Sequence, residues 1–230
     1  MITRKTTGIQ ELDNLIEGGY KSESINMIEG TAGSGKSTLA LHYAIAGVDS
    51  GEKALYLSVE ESKKSFYENM NRFGFKLEEH EKTGNFIFYE LNAQKLKDFV
   101  EKGVLGIEDK IIDQNISRIV LDSISAFTLL YETEAKQRIA VQRLFDRLRK
   151  WNLTTIIVSE SEQDYRNFGL PYLVDGVLNL KYKKIGEDRI RTIEVLKMRG
   201  TKHRSKEVVY KIEDEGIVLY PGETVLRSDN

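Results

Sequence analysis

A glycine-rich stretch near the N-terminus contains residues whose types and spacing can bind phosphate groups. It follows an apolar run, residues 25–29, and fits the pattern G-x-x-x-x-G-K-[ST]. Glycines let the backbone bend so that successive N–H groups surround an anion. Lysine adds a positive charge at the β- and γ-phosphates, and the serine after it is the expected Mg²⁺ ligand. The sequence therefore predicts a P-loop that binds ATP with Mg²⁺ through Gly30, Thr31, Ala32, Gly33, Ser34, Gly35, Lys36, Ser37 and Thr38.

Two acidic residues, Glu60 and Glu61, follow a second apolar run at residues 54–59. In an open parallel sheet, ligands bind beyond the carboxyl ends of the strands. A carboxylate placed there can act as the general base for a water that attacks the γ-phosphate. The alternative is a structural role, because acids favour helix N-termini and a polar helix starts at Ser62. Both interpretations remain open at this point.

A third apolar run, residues 118–121, ends in Asp122. This is the Walker B pattern, in which the aspartate holds the Mg²⁺ shell. The same pattern also occurs at ordinary strand ends. With a P-loop upstream, we expect Asp122 to share the metal with Ser37.

The composition sets limits on the class of protein. The chain has 230 residues, a net charge of −2 and no cysteine, which excludes disulfides, thiol catalysis and cysteine-type zinc sites. We expect one domain, residues 1–230, with a core of ordinary size. No apolar run approaches 18 residues and no signal peptide is evident, so we expect a cytoplasmic protein with no membrane partner.

The order of elements predicts an α/β fold of the P-loop NTPase type, with a mainly parallel central sheet flanked by helices. Antiparallel hairpins are expected at the C-terminal end. Predicted strands 177–182 and 191–197 flank a turn at residues 185–188, and predicted strands 208–212 and 217–220 flank Gly216. The remaining predicted strands are residues 86–89 and 154–159, and the predicted helices are residues 7–16, 38–48, 62–73, 96–106, 107–116 and 134–151.

Several motifs together resemble the KaiC family of RecA-like ATPases, which includes the circadian-clock ATPase and single-domain archaeal and bacterial relatives. They run nearly from end to end: Thr7-Gly8-Ile9, Leu12-Asp13, Gly18-Gly19, the P-loop, Glu60-Glu61-Ser62, Phe73-Gly74, Leu121-Asp122-Ser123 and residues 196–203. The last element, LKMRGTKH, is the most specific. The resemblance implies a RecA-like fold and a ring hexamer with ATP between subunits.

The resemblance also implies roles for individual residues. Glu60 and Glu61 match the family's catalytic pair, and Lys197 and Arg199 would reach the γ-phosphate of the neighbour's ATP. From the residues alone, we expect this pair of cations to lack local acidic partners, with Glu194 as the only close carboxylate. The positions implied near the nucleoside are Thr201, His203 and Asp214, with Arg72 near the nucleotide where the family has a smaller residue.

The chain departs from the clock protein in two respects. It has one such domain where the clock protein has two in tandem. Pro171 and Tyr172 stand where the clock protein's second domain has its Ser-Thr phosphorylation pair, so no acceptor of that kind is evident.

The sequence is compatible with three functions. The first is an ATPase ring that couples nucleotide state to an unknown regulatory protein partner. The second is a RecA/RadA-like DNA-binding or recombination accessory ATPase, and the third is a protein kinase. Nucleic acid is the less favoured partner, because the loop at residues 159–175 has four acids and one base. The residues in favour of DNA are the basic run Lys197, Arg199, Lys202, Arg204 and Lys206.

Overall fold

The computed structural model describes residues 3–103, 108–160, 169–204 and 206–223. Its strands, in chain order, are β1 (Arg4–Lys5), β2 (Tyr20–Lys21), β3 (Ile25–Gly30), β4 (Ala54–Ser58), β5 (Phe86–Glu90), β6 (Arg118–Asp122), β7 (Thr154–Glu160), β8 (Gly176–Ile185), β9 (Asp188–Met198), β10 (Val208–Glu213) and β11 (Gly216–Tyr220). Its helices are α1 (Gln10–Leu15), α2 (Lys36–Asp49), α3 (Lys63–Met70), α4 (Leu77–Lys82), α5 (Ala93–Lys102), α6 (Glu108–Asp113), α7 (Ser125–Thr128), α8 (Glu134–Arg149) and α9 (Leu170–Leu173).

Within the described residues, nine strands form one sheet in the order β11-β10-β9-β8-β3-β7-β6-β4-β5. The strands from β8 to β5 in this order are parallel to their neighbours, and β9, β10 and β11 pair antiparallel. The P-loop strand β3 lies between β7 and β8, and all its residues are buried. The predicted fold class, a mainly parallel sheet with antiparallel C-terminal hairpins, is confirmed.

Apolar side chains cover both faces of the sheet. Side chains of α1, α2 and α3 form a core on one face, and side chains of α5, α7 and α8 form a core on the other. This sandwich explains why the central strands are almost continuously apolar. Among the described residues, none of the helices has both the length and the apolar character needed to cross a bilayer.

The predicted element boundaries need several corrections. The first helix begins at Gln10 and not at Thr7, because Gly8 has a φ of 86° and Ile9 is the N-cap. The N–H of Thr7 donates to the side-chain oxygen Oδ1 of Asp13 at 2.8 Å. Helix α5 begins three residues before Leu96, where Asn92 Oδ1 accepts the N–H of Lys95. The long helix α8 ends at Arg149, and β8 and β9 extend beyond the predicted hairpin at both ends. The predicted helix residues 104–107 lie outside the described residues.

A buried ion pair connects the parallel sheet to α2 and the N-terminal segment. Arg118, the first residue of β6, has a side chain that is 2% exposed and donates from Nε to Glu52 Oε2 at 2.8 Å. Its Nη1 donates to the carbonyl oxygens of Thr6 and Tyr43 at 2.8 and 2.7 Å. Gly47 makes room for it, since a Cβ there would lie 2.3 Å from Arg118 Cδ. A buried guanidinium needs this full set of acceptors.

Candidate active site

The P-loop connects β3 to α2, and glycine is needed at its three glycine positions for two different structural reasons. Gly33 and Gly35 have φ values of 72° and 83°, in the left-handed region that favours glycine. Gly30 is required by close packing, because a Cβ there would lie 2.3 Å from the carbonyl oxygen of Leu180. Each of these three positions therefore disfavours a side chain, and the glycine spacing in the sequence reflects the shape of the loop.

Contacts within the loop place its lysine at the start of α2. The carbonyl oxygen of Thr31 accepts hydrogen bonds from Ser34 Oγ at 2.7 Å and from Lys36 Nζ at 3.0 Å. Because α2 has Gly35 as its N-cap, no side chain caps the amides of its first turn. Free amides at a helix N-terminus form an anion site. Burial lowers the pKa of Lys36, and the charges of nearby carboxylates oppose that effect.

A cavity of about 160 Å³ lies next to the loop, at the carboxyl ends of the parallel strands. The structure brings together here the predicted P-loop cation and hydroxyl, both predicted glutamates and the predicted metal ligand. The residues that line the cavity are Lys36, Ser37, Ser58, Glu60, Glu61, Asp122, Ser123 and Glu160.

Asp122 is the last residue of β6, and Tyr56 Oη donates to its Oδ2 at 2.5 Å. Burial raises the pKa of Asp122, in spite of hydrogen bonds from Tyr56 and Ser37 and the nearby charge of Lys36. The peptide bond between Asp122 and Ser123 is cis.

These residues fit a Mg²⁺ ion. Asp122 and Ser37 line the same cavity, so one cation bound there can face both side-chain oxygens. In the described residues, no cluster of three or more His, Cys, Asp or Glu side chains forms an all-protein metal cage. Mg²⁺ is usually bound by one or two protein oxygens together with phosphates and water, and Asp122 and Ser37 can supply two such oxygens.

The two glutamates have different surroundings. Glu61 Oε1 accepts hydrogen bonds from two α3 side chains, Ser65 Oγ at 2.7 Å and Asn69 Nδ2 at 3.0 Å. Glu60 Oε2 accepts one from Ser123 Oγ at 2.9 Å, next to Asp122. Neither glutamate is in the first turn of α3, which begins at Lys63. The chemistry of a general base therefore suits Glu60 better than Glu61.

Three residues that line the cavity were not predicted as site residues, Ser58, Ser123 and Glu160, and Glu160 is the charged one. It is the last residue of β7, and its N–H donates to Ser125 Oγ at 2.9 Å. It also exerts the largest charge effect on the pKa of Lys36. The available signal was the same as for Asp122, an apolar strand that ends in a carboxylate.

A second group that sequence reasoning missed braces the other flank of the P-loop. Arg191 of β9 donates from Nε to the carbonyl oxygen of Gly33 at 3.2 Å, and its guanidinium lies 4.2 Å from the ring centroid of Tyr182. Tyr210 Oη donates to the carbonyl oxygen of Ser34. These residues lie far from the P-loop in the chain, so no local pattern indicates their role.

The proposed in-trans cations lie at the opposite edge of the sheet from the P-loop of the same chain. Met198, between them, pairs with Gly176, which pairs with Asn26 near the start of β3. Since a strand rises about 3.3 Å per residue, Asn26 and Gly30 are roughly 13 Å apart. Lys197 and Arg199 are thus directed away from their own cavity.

The expectation that these cations lack local partners is wrong. Arg199 Nη1 lies 3.5 Å from Asp175 Oδ1, and Lys197 Nζ donates to the carbonyl oxygens of Pro171 and Val174 at 2.9 and 2.6 Å. Glu194, expected as the nearest carboxylate, instead pairs with Lys181 at 2.7 Å. Antiparallel pairing of β8 and β9 brings the Asp175 segment beside Arg199.

The residues implied at the nucleoside are not gathered in one place within the chain. Thr201 Oγ1 accepts from Arg4 Nη1 at 3.1 Å, on the Arg199 side of the sheet. His203 is half-buried, and its Nδ1 has no hydrogen-bond partner among the described residues. Asp214 is exposed in the turn between β10 and β11, on the P-loop side, where Ile212 approaches Gly35. Arg72 is exposed on the 3-10 turn after α3 and is not part of the cavity lining.

Comparison with known proteins agrees with the geometry. A UPF0273 protein of Pyrococcus furiosus is 30% identical to the chain, and the match covers 99% of this chain and 98% of that protein. A circadian clock protein KaiC3 of Synechocystis is 31% identical over 96% of this chain, which spans 46% of that protein's length. The crystal structure of a KaiC-like protein of Pyrococcus horikoshii superposes with a TM-score of 0.84 and 28% identity, covering 96% of this chain and 100% of that chain.

The sequence model of the family described as "ATPase: KaiC" matches residues 5–224. The match takes in the P-loop, the cavity and the C-terminal hairpins described above. The chain belongs to the KaiC family of ATPases.

Proposed function

We propose that the protein binds ATP with Mg²⁺ in the cavity beside the P-loop and hydrolyses it. The observation that supports this most directly is the gathering of Lys36, Ser37, Glu60 and Asp122 around one cavity at the carboxyl ends of the strands. A fixed cation, two metal-ligating oxygens and a carboxylate base are the parts that phosphoryl transfer to water requires.

Each residue has a definite task in this reaction. The P-loop amides and Lys36 hold the phosphates. Ser37 and Asp122 would hold Mg²⁺, which when bound neutralises charge on the β- and γ-phosphates. Glu60, fixed by Ser123, orients a water and accepts its proton through the carboxylate.

A second copy of the chain completes the site in this proposal. Lys197 and Arg199 lie at the far edge of the sheet from their own P-loop, so the nucleotide they serve belongs to a neighbouring subunit. Cations supplied by a partner stabilise the charge of phosphoryl transfer, as arginine fingers do. Repetition of this head-to-tail contact closes a ring, and the family resemblance favours a hexamer.

The nucleoside contacts and the regulatory role are further parts of the proposal. Thr201 and His203 would face the neighbour's nucleoside, together with Lys197 and Arg199. Asp214 would approach the nucleotide from the turn between β10 and β11, and Arg72 from the 3-10 turn after α3. The ring would couple nucleotide state to a regulatory protein.

The experiment compares Lys36→Ala with Lys64→Ala, a control at an 86% exposed lysine on α3. ATP binding and phosphate release are measured with and without Mg²⁺, and light scattering follows assembly on the same samples. We expect Mg²⁺-dependent release by the wild type and the control, loss of binding in Lys36→Ala, and ATP-promoted assembly. Unchanged nucleotide affinity in Lys36→Ala would refute the site assignment. A monomer that turns over at the full rate would refute the second-copy role.

A further inference from the structure

One short segment, residues 171–175, holds both of the proposed in-trans cations. Lys197 Nζ donates to the carbonyl oxygens of Pro171 and Val174, and Arg199 Nη2 donates to that of Tyr172 at 3.2 Å. These carbonyls belong to the end of α9 or follow it, where a helix leaves its acceptors without partners.

Asp175 connects Arg199 to the strand that carries the P-loop. Its Oδ2 accepts the N–H of Ile25 at 3.0 Å, and its own N–H donates to the carbonyl oxygen of Ile25 at 2.7 Å. Its carbonyl oxygen accepts the N–H of Arg199 at 2.8 Å, while Oδ1 faces the guanidinium at 3.5 Å. The carboxylate is therefore fixed to β3 through one oxygen and directed at Arg199 with the other.

The contacts with Asp175 and Tyr172 orient the Arg199 guanidinium but use only some of its N–H donors. It has five N–H donors, and contacts with Asp175 and Tyr172 use the tips of its fork. The side chain of Arg199 is 56% exposed, so the other donors remain accessible from outside the chain. Asp175 is 30% exposed and sits beneath it.

We propose that Asp175 is a positioning residue for Arg199, which its carboxylate and main chain hold ready for the nucleotide of a second copy. This inference rests on the proposed in-trans role of Arg199. A charge that is already oriented before the reaction stabilises the transition state without reorganisation. Loss of the carboxylate should thus slow turnover and leave nucleotide binding to the P-loop intact.

The test variant is Asp175→Asn, with Asp113→Asn on the exposed end of α6 as the matched control. Asparagine keeps an oxygen that can accept the N–H of Ile25, but its amide offers donors where the carboxylate offered an acceptor. We expect kcat to fall about 10-fold, because misplacement of a catalytic group costs up to about 10²-fold. KM and the size of the assembly by light scattering should stay at the wild-type values, and the control should match the wild type throughout.

A double-variant cycle separates positioning from a general structural effect. If Asp175 acts through Arg199, Asp175→Asn should cause no further loss of kcat in an Arg199→Ala background. Independent, additive losses would overturn the positioning role. So would a normal kcat in Asp175→Asn when Arg199→Ala alone is slow. A normal rate in Arg199→Ala would instead overturn the in-trans role itself.

Arg199→Lys keeps the proposal testable if Asp175→Asn does not fold. Lysine retains the charge but lacks the planar fork that can face a carboxylate and a phosphate together. We expect kcat of Arg199→Lys to fall close to that of Arg199→Ala. A wild-type rate would show that charge alone suffices and would overturn the positioning role.

Discussion

The hydroxyl of Tyr56 on β4 donates a 2.5 Å hydrogen bond to Oδ2 of Asp122 on the neighbouring strand β6. The two strands are parallel, and Ser58 lies opposite Asp122. Tyr56 is two residues before Ser58 on β4, so its side chain extends along the sheet to reach Asp122 at the end of β6. Asp122 also lines the cavity beside the P-loop. Tyr56 thus controls both the orientation of Asp122 and its affinity for a proton.

Tyr56→Phe should weaken the binding of Mg²⁺. Burial raises the pKa of Asp122 and the Tyr56 hydrogen bond opposes this effect, so its removal should raise the pKa further. Protons then compete better with Mg²⁺, most strongly at low pH. We expect half-maximal turnover at roughly 10-fold more Mg²⁺, since a hydrogen bond to a charged group contributes about 1.5–3 kcal/mol.

The measurement is a Mg²⁺ titration of ATP turnover at several pH values, with Tyr89→Phe on β5 as the control. Tyr89 is half-buried and does not line the cavity. An unchanged Mg²⁺ midpoint in Tyr56→Phe at every pH would contradict a metal role for Asp122.

Replacing the two glutamates separately should distinguish their roles. Glu60→Gln keeps the size and the acceptor for Ser123 but removes the base, so turnover should fall by about 10²-fold or more. Glu61→Gln should have a smaller effect, because Glu61 is already held by Ser65 and Asn69 on α3. Single-turnover hydrolysis and ATP binding on the same variants check this. Equal losses in both variants would show that the glutamates act as one unit, and a normal rate in Glu60→Gln would remove it as the base.

Glu52→Gln should destabilise the fold without touching the cavity. It breaks the pair with Arg118, whose side chain is 2% exposed. We expect a loss of roughly 3 kcal/mol in the free energy of unfolding, the lower end for a broken buried pair, because glutamine keeps one acceptor oxygen. Urea unfolding measures it, with Glu68→Gln at a 67% exposed position as the control. A change within about 0.5 kcal/mol, typical of a surface substitution, would contradict the structural role.

The ion pair of Glu52 and Arg118 should also make the free energy of unfolding depend on pH in the acid range. Burial by itself raises the pKa of Glu52, but hydrogen bonds from Arg118, Lys5 and Ser117 lower it to about 2. Since the ordinary value is 4.5, the unfolded chain takes up the proton first. The stabilisation is therefore complete above pH 4.5 and is lost as the pH falls towards 2. The difference in unfolding free energy between wild type and Glu52→Gln should shrink across this interval.

The sequence predicted those parts of the site that depend on local signals. Gly33 and Gly35 reflect the backbone conformations of single residues. Glu60, Glu61 and Asp122 were identified because strand ends share one edge of a parallel sheet. Parallel strands with both faces covered have continuous apolar runs, so the central strands could be predicted from the sequence.

The parts that the sequence did not predict depend on pairing between distant segments. Asp175 meets Arg199 across 24 residues of chain, through the antiparallel contact of β8 with β9. Arg191 reaches the carbonyl of Gly33 across 158 residues. Neither contact produces a periodic or compositional pattern in the sequence. The two cations at the end of β9, Lys197 and Arg199, were therefore expected to be unpaired, and the contacts of Arg191 and Tyr210 with the P-loop were not expected at all.

That brace makes the C-terminal hairpins part of the phosphate site. Arg191 and Tyr210 hold the outer carbonyls of the loop, and His42 of α2 accepts the N–H of Ile217 on β11 at 2.9 Å. During synthesis, a chain that has reached only β7 already contains the whole P-loop. It still lacks Arg191 and Tyr210, the side chains that hold the carbonyl oxygens of that loop. Nucleotide bound as proposed could therefore stabilise the folding chain only after β9 to β11 have been made and have packed against the loop and α2.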